Sequence, residues 1–121
     1  MNWTTILIVL AFFVLLYLLK RVGQISAQNA QQHLKNGALV IDVRSPAEFK
    51  SGHLPSAINL PLDDIEVQLP RRFANKDLCL LLHCQSGMRS GVARKKLLAL
   101  GYRNTFNLGS YQRAAGILGK P

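Results

Sequence analysis

An unbroken apolar run at residues 78–82, Leu-Cys-Leu-Leu-Leu, passes directly into His83-Cys84-Gln85-Ser86-Gly87-Met88-Arg89-Ser90 and then into helical spacing over 92–100. A short run that is apolar at every position suits a strand buried on both faces, and burial on both faces requires helices on both sides of a parallel sheet. The loop therefore falls at the carboxyl end of the central strand. That edge is where open α/β sheets bind ligands, and the amides that open the following helix favour an anion there. A thiolate is such an anion. A helix N-terminus with an arginine nearby can lower a cysteine from about 8.5 into the range of roughly 3.5 to 7.5. Cys84 is thus the candidate nucleophile, with Gln85 to Ser90 as the loop that would curl its amides around the sulfur. Gly87 permits the turn, Arg89 supplies a guanidinium, and the Ser86 and Ser90 hydroxyls are further donors.

The flanking chain fits an alternating α/β order. Ser26 reads as an N-cap for a helix with Ala27, Ala30 and Leu34 on one face, stopped at Asn36-Gly37. Residues 38–43 form a short apolar strand ending at Asp42 and Arg44, beside the same ligand edge. Ser45-Pro46-Ala47-Glu48 is a capping box with proline at the first helical position. Residues 57–60 form another strand. Asp63 or Asp64 caps a helix whose apolar side is Ile65, Val67 and Leu69, with Pro70 expected to close it. Beyond the loop, Val92, Ala93, Leu97 and Leu100 share a face, and Gly101 supplies the C-cap. A last strand covers 104–107, and Gly109-Ser110-Tyr111 leads into a final helix. His53 has no second His or carboxylate at a metal-binding spacing, so it reads as a structural hydrogen-bonding residue.

Two motifs in order sharpen the functional reading. The loop Cys84 to Arg89, with four residues between, is preceded by Val40-Ile41-Asp42-Val43-Arg44, Glu48-Phe49 and Gly52-His53-Leu54-Pro55-Ser56-Ala57-Ile58-Asn59-Leu60-Pro61. Together they resemble the rhodanese-like sulfurtransferases, over roughly residues 24–120. The resemblance implies a small rhodanese-like α/β domain with a central parallel sheet flanked by helices. It also implies a Cys84 persulfide formed from a small anionic sulfur donor, thiosulfate or a persulfide, with a thiol, cyanide or a protein as acceptor. Asp42 and Arg44 are implied to support the loop, and neither a cofactor nor a metal is implied. Many family members carry Gly-Gly and then a tryptophan near the C-terminus; Ser110 and Ala115 depart from that pattern, which bears on the packing of the last segment. Two rivals use similar residues. Cysteine phosphatases place one more residue between cysteine and arginine, leaving room for a phosphoryl group that the shorter loop lacks. A membrane-tethered interaction module or persulfide carrier could keep the fold without turnover.

The N-terminal segment has its own character. No charged side chain occurs over residues 2–19, residues 6–19 are almost wholly apolar, and Lys20-Arg21 follow at once. This predicts a single transmembrane helix in residues 1–23, ahead of a domain at 24–121. A cleaved signal peptide would carry its positive charge before the apolar core, the reverse of the order here. The positive-inside rule then places the domain on the cytoplasmic side of an inner or plasma membrane, with Met1 outside and Trp3 and Tyr17 near the interfaces. Cys79 and Cys84 form neither a C-x-x-C pair nor a disulfide framework, which suits a reducing compartment, and Cys79 reads as a buried small hydrophobe. The formal charge of +9, from 15 Lys and Arg against 6 Asp and Glu, suits an anionic substrate or membrane lipid. Nucleic acid is excluded by the scatter of the charges and the lack of a recognition motif or aromatic platform.

Overall fold

The computed structural model describes residues 2–21 and 23–119, with Lys20 and Arg21 described by backbone alone. Met1, Val22 of the expected linker, and Lys120 and Pro121 at the far end of the expected domain lie outside the described residues. The elements in order are α1 (Trp3–Arg21), α2 (Ala27–Lys35), β1 (Leu39–Asp42), α3 (Pro46–Ser51), β2 (Ile58–Asn59), α4 (Ile65–Arg72), β3 (Leu80–His83), α5 (Met88–Ala99), β4 (Thr105–Gly109) and α6 (Tyr111–Leu118).

The four strands form one parallel sheet in the order β2-β1-β3-β4. Alternation along the strands divides the core in two. Ile41, Leu80 and Leu82 face one way, against Ile65 and Leu69 of α4 and Ala93 and Leu97 of α5. Val40, Leu81 and Leu108 face the other, against Ala30 of α2 and Ala114 and Ile117 of α6. Every residue of β3 is buried, as a strand covered by helices on both faces requires. Register brings Asp42 opposite His83 and His83 opposite Gly109, so β1, β3 and β4 end together.

The serine caps form where the side chains predict, whereas Asp64 stands at the N-cap of α4 without a side-chain cap bond. Ser26 accepts from the Asn29 amide, and Ser45 and Glu48 complete a reciprocal capping box. Ser110, one of the two departures from the family pattern, is the N-cap of α6 and accepts from the Arg113 amide. Other expectations shift. Pro70 lies inside α4, which runs to Arg72. The amide that proline lacks would have reached the Glu66 carbonyl, and Glu66 is exposed to water. Val67 and Val92 are exposed, because the buried faces follow i, i+3, i+4 spacing through Ile65 and Leu69, and through Ser90, Ala93 and Leu97. Cys79 precedes β3 and is half-buried.

Among the described residues, no helix is long and apolar enough to cross a membrane, so the expected transmembrane helix is not shown. The described apolar part of α1, residues 3–19, gives about 26 Å of helix against a hydrocarbon core of about 30 Å. Its side chains, among them Leu7, Ile8, Phe12, Phe13, Leu16 and Leu19, are exposed on all sides. Beyond α1 the chain joins the sheet edge: Gln24 bridges to Asn107, and the Ile25 amide donates to the Asn107 carbonyl at 3.0 Å.

Candidate active site

Cys84 follows β3 directly and is buried, and its amide donates to the Gly109 carbonyl at 3.3 Å. The chain must then turn sharply to begin α5 at Met88. Gly87 makes that turn with φ of +93° as the N-cap. A Cβ at this position would lie 3.2 Å from Gly109 Cα and 3.2 Å from Gln24 Nε2, so conformation and space both call for glycine. The turn aims the Gly87 amide at Cys84 Sγ, 3.0 Å away, and the Ser90 hydroxyl lies 3.5 Å from the same sulfur. Burial works to raise the Cys84 thiol. The Ser90 hydroxyl and the amides of Ser90, Gly87 and Ser86 outweigh it, and the thiol falls below its ordinary value.

The loop is tied down from outside. The Tyr111 amide donates to the Gln85 carbonyl at 3.3 Å, and Ser86 bridges to Ser110, so the start of α6 clamps the loop. Asn107 of β4 holds its other end: Oδ1 accepts from Ser90 Oγ at 2.7 Å and from the Gly109 amide at 2.8 Å, while Nδ2 donates to the Gly87 carbonyl at 3.1 Å. Asn107 was not among the residues singled out from the sequence. Its one signal is a polar amide inside a strand pattern, which once buried must find partners.

Beneath the loop lies an ion pair. Arg44 Nη2 donates to Asp42 Oδ2 at 2.7 Å, Nε lies 3.0 Å from both carboxylate oxygens, and the Arg44 amide donates to Oδ1 at 2.9 Å. Arg44 also donates to the Gly52 carbonyl at 2.8 Å and lies over the Tyr111 ring, 4.7 Å from its centroid. The pair thus joins β1, the end of α3 and the start of α6. His83 is fully buried between this pair and Cys84, with Nε2 3.8 Å from Asp42 Oδ2 and lacking a hydrogen-bond partner among the described residues. Burial pushes its pKa down, so it is neutral at pH 7 and the contact with Asp42 is no salt bridge.

The structure brings Cys84, Gly87 and Ser90 together as the sequence predicts. Ser86 Oγ instead accepts from the Met88 amide at 3.5 Å, and Gln85 and Met88 side chains are exposed. Arg89 is engaged by Glu48, with Nη1 to Oε1 at 2.6 Å and Nη2 to Oε2 at 2.9 Å. The Arg89 guanidinium, followed by the Ser45 amide, holds the Glu48 carboxyl down at about 2. His53 is exposed, bonded through Nδ1 to the Phe49 carbonyl at 2.9 Å and stacked on the Phe49 ring, a structural role as expected.

Comparison with known proteins points to one family. The chain is 33% identical to a sulfurtransferase of Allochromatium vinosum over 89 residues, covering 72% of this chain and 81% of that protein. It is 31% identical to the thiosulfate sulfurtransferase PspE of Escherichia coli over 75 residues, covering 62% of this chain and 72% of that protein. Among solved structures, the human single-domain sulfurtransferase TSTD1 superposes with a TM-score of 0.66 at 26% identity, over 78% of this chain and 96% of that one. A rhodanese from E. coli with bound anions superposes with a TM-score of 0.63 at 27% identity, over 70% and 95%. The family model for the rhodanese-like domain matches residues 26–113, most of the chain and all of the loop, and the chain belongs to the rhodanese-like domain family.

Proposed function

We propose that the protein is a sulfurtransferase that carries sulfane sulfur on Cys84, taking it from thiosulfate or a persulfide and passing it to a thiol, cyanide or a protein acceptor. The observation that carries this reading is the sulfur itself, set where the Gly87 amide meets it at 3.0 Å at the opening of α5, with its thiol below the ordinary value. The thiolate attacks the outer sulfur of thiosulfate; a new S–S bond forms to Cys84, the donor S–S bond breaks, and sulfite leaves with the electron pair. An acceptor thiolate or cyanide then attacks the terminal sulfur, and Cys84 leaves as thiolate. In both steps negative charge develops inside the loop, where the Gly87 amide already points and the Ser90 hydroxyl lies 3.5 Å from the sulfur. Relatives named as sulfurtransferases support the donor class.

The proposal extends to location. The apolar, exposed surface of α1 supports insertion of this segment into an inner or plasma membrane, with the domain on the cytoplasmic side where a reactive thiol stays reduced. The direct test of the chemistry is mass spectrometry of the protein after exposure to thiosulfate. One added sulfur on Cys84 is expected, and addition at Cys79, or none at all, refutes the assignment.

A further inference from the structure

The charge that faces Arg89 runs against that of the whole chain. The protein carries +9 with only six acidic residues. Yet Glu48 engages Arg89 through both terminal nitrogens, and Asp63 and Asp64 line the cleft of about 190 Å³ of which Arg89 forms a wall. One carboxylate therefore holds the Arg89 guanidinium, and two more line the cleft that Arg89 walls. Arg44 is closed on Asp42 and His83 is neutral, whereas Arg94 and Lys95 line a separate cleft shared with Gly87 and Met88. A Cys84 thiolate is thus met by amide dipoles, by Ser90 Oγ and by an Arg89 charge that Glu48 already answers. An arginine free to meet a dianion would behave differently.

We propose that Glu48 is a specificity-determining residue which, by occupying both ends of the Arg89 guanidinium, makes the loop discriminate against highly anionic donors and favour weakly charged ones such as alkyl persulfides. This inference rests on the sulfurtransferase reading for the identity of the donors. The physical basis does not depend on turnover. An anion approaching the sulfur must either displace Glu48 from Arg89 or be bound without that charge. A neutral reagent faces no such competition. Glu48 also caps α3, but this second duty is separable, because glutamine at the same position still accepts from the Ser45 amide.

The experiment compares the rates at which Cys84 is alkylated by iodoacetate and by iodoacetamide, two reagents of like size that differ by one negative charge. Their ratio cancels the thiolate fraction and any general loosening of the loop. In Glu48→Gln the iodoacetate to iodoacetamide ratio should rise about threefold to tenfold, the effect of removing one charge several ångströms away in a largely aqueous mouth. The Asp63→Asn/Asp64→Asn double variant should move it the same way by less, and it keeps the test open if Glu48→Gln fails to fold. A ratio unchanged or lowered in the variants overturns the proposal. In turnover, Glu48→Gln should raise kcat/KM for thiosulfate relative to a neutral alkyl persulfide by a similar factor; equal changes for both donors overturn it too. Failure of the wild-type protein to form a persulfide with either donor would instead overturn the sulfurtransferase reading, while the alkylation ratio would still decide the role of Glu48.

Discussion

Replacing Asp42 by alanine should destabilise the domain by about 3 kcal/mol or more, although Asp42 touches neither sulfur nor solvent. The Asp42 side chain is 0% exposed and that of Arg44 6%, so removing the carboxylate strands a guanidinium in the interior. Breaking a buried pair by deleting one partner costs about 3–5 kcal/mol. The lower end applies here because Arg44 keeps its bond to the Gly52 carbonyl and its place over Tyr111. Against a total stability of about 5–15 kcal/mol this is a large fraction. The assay is urea unfolding at pH 7.5 in a mild nonionic detergent. With a slope of about 1–3 kcal/mol per molar, the midpoint should fall by at least about 1 M. The diagnostic comparison is Asp42→Leu/Arg44→Met, which removes both charges and should recover most of the loss, since an apolar pair avoids the desolvation of two ions. A fall of under about 0.3 M in the single variant refutes the reasoning. So does a double variant as unstable as the single, which would mean that shape rather than uncompensated charge sets the cost.

Other outcomes follow from the same geometry. Cys84→Ser should abolish sulfur transfer with the fold retained, whereas Cys79→Ser, at a half-buried position, should cost only about 1 kcal/mol and keep persulfide formation, checked by mass spectrometry and thermal melting. Asn107→Ala should cost about 1–3 kcal/mol, because Ser90 can turn to the Gly87 carbonyl 3.2 Å away but the Gly109 amide is left unpaired; alkylation of Cys84 should also change its pH profile, and an unaltered profile would deny Asn107 its part in holding the loop. His83 is held below its ordinary 6.5, chiefly by burial, so between that value and its lower folded one the unfolded chain binds a proton that the folded chain does not. Stability should therefore fall as pH drops below about 6.5, before Glu48 and its folded value of about 2 come into play, and His83→Asn should flatten that part of the profile. In intact cells a membrane-impermeant thiol reagent should leave Cys84 unlabelled until the membrane is opened; labelling from outside would overturn the proposed orientation.

Much of the fold was legible because its signals are local. A capping serine needs only an amide three residues on, which is why Ser26, Ser45 and Ser110 mark real helix starts. An apolar run that must be buried on both faces dictates a parallel sheet, and the residues after it must lie at its ligand edge, so Cys84, Gly87 and Ser90 could be singled out from order and spacing alone. Local pattern does not say which of several apolar residues meets the sheet. Val67 and Val92 are as hydrophobic as their neighbours, and only the docking angle of each helix left them exposed.

What the sequence by itself determined was the place of the Cys84 loop at the end of the central strand, the serine-capped helix starts and the class of fold, since each depends on residues within a turn or two of one another. Tertiary structure decided the company the loop keeps. Asn107 is 23 positions from Cys84 and Glu48 is 41 from Arg89. They reach the loop because parallel pairing sets β4 beside β3 and brings the end of β1, and the helix after it, to the same edge. Charge shows the difference most clearly. Composition describes a strongly basic chain, but a field at one atom falls with distance, and the nearest ionised partner of Arg89 is a carboxylate that only the folded sheet brings within 2.6 Å.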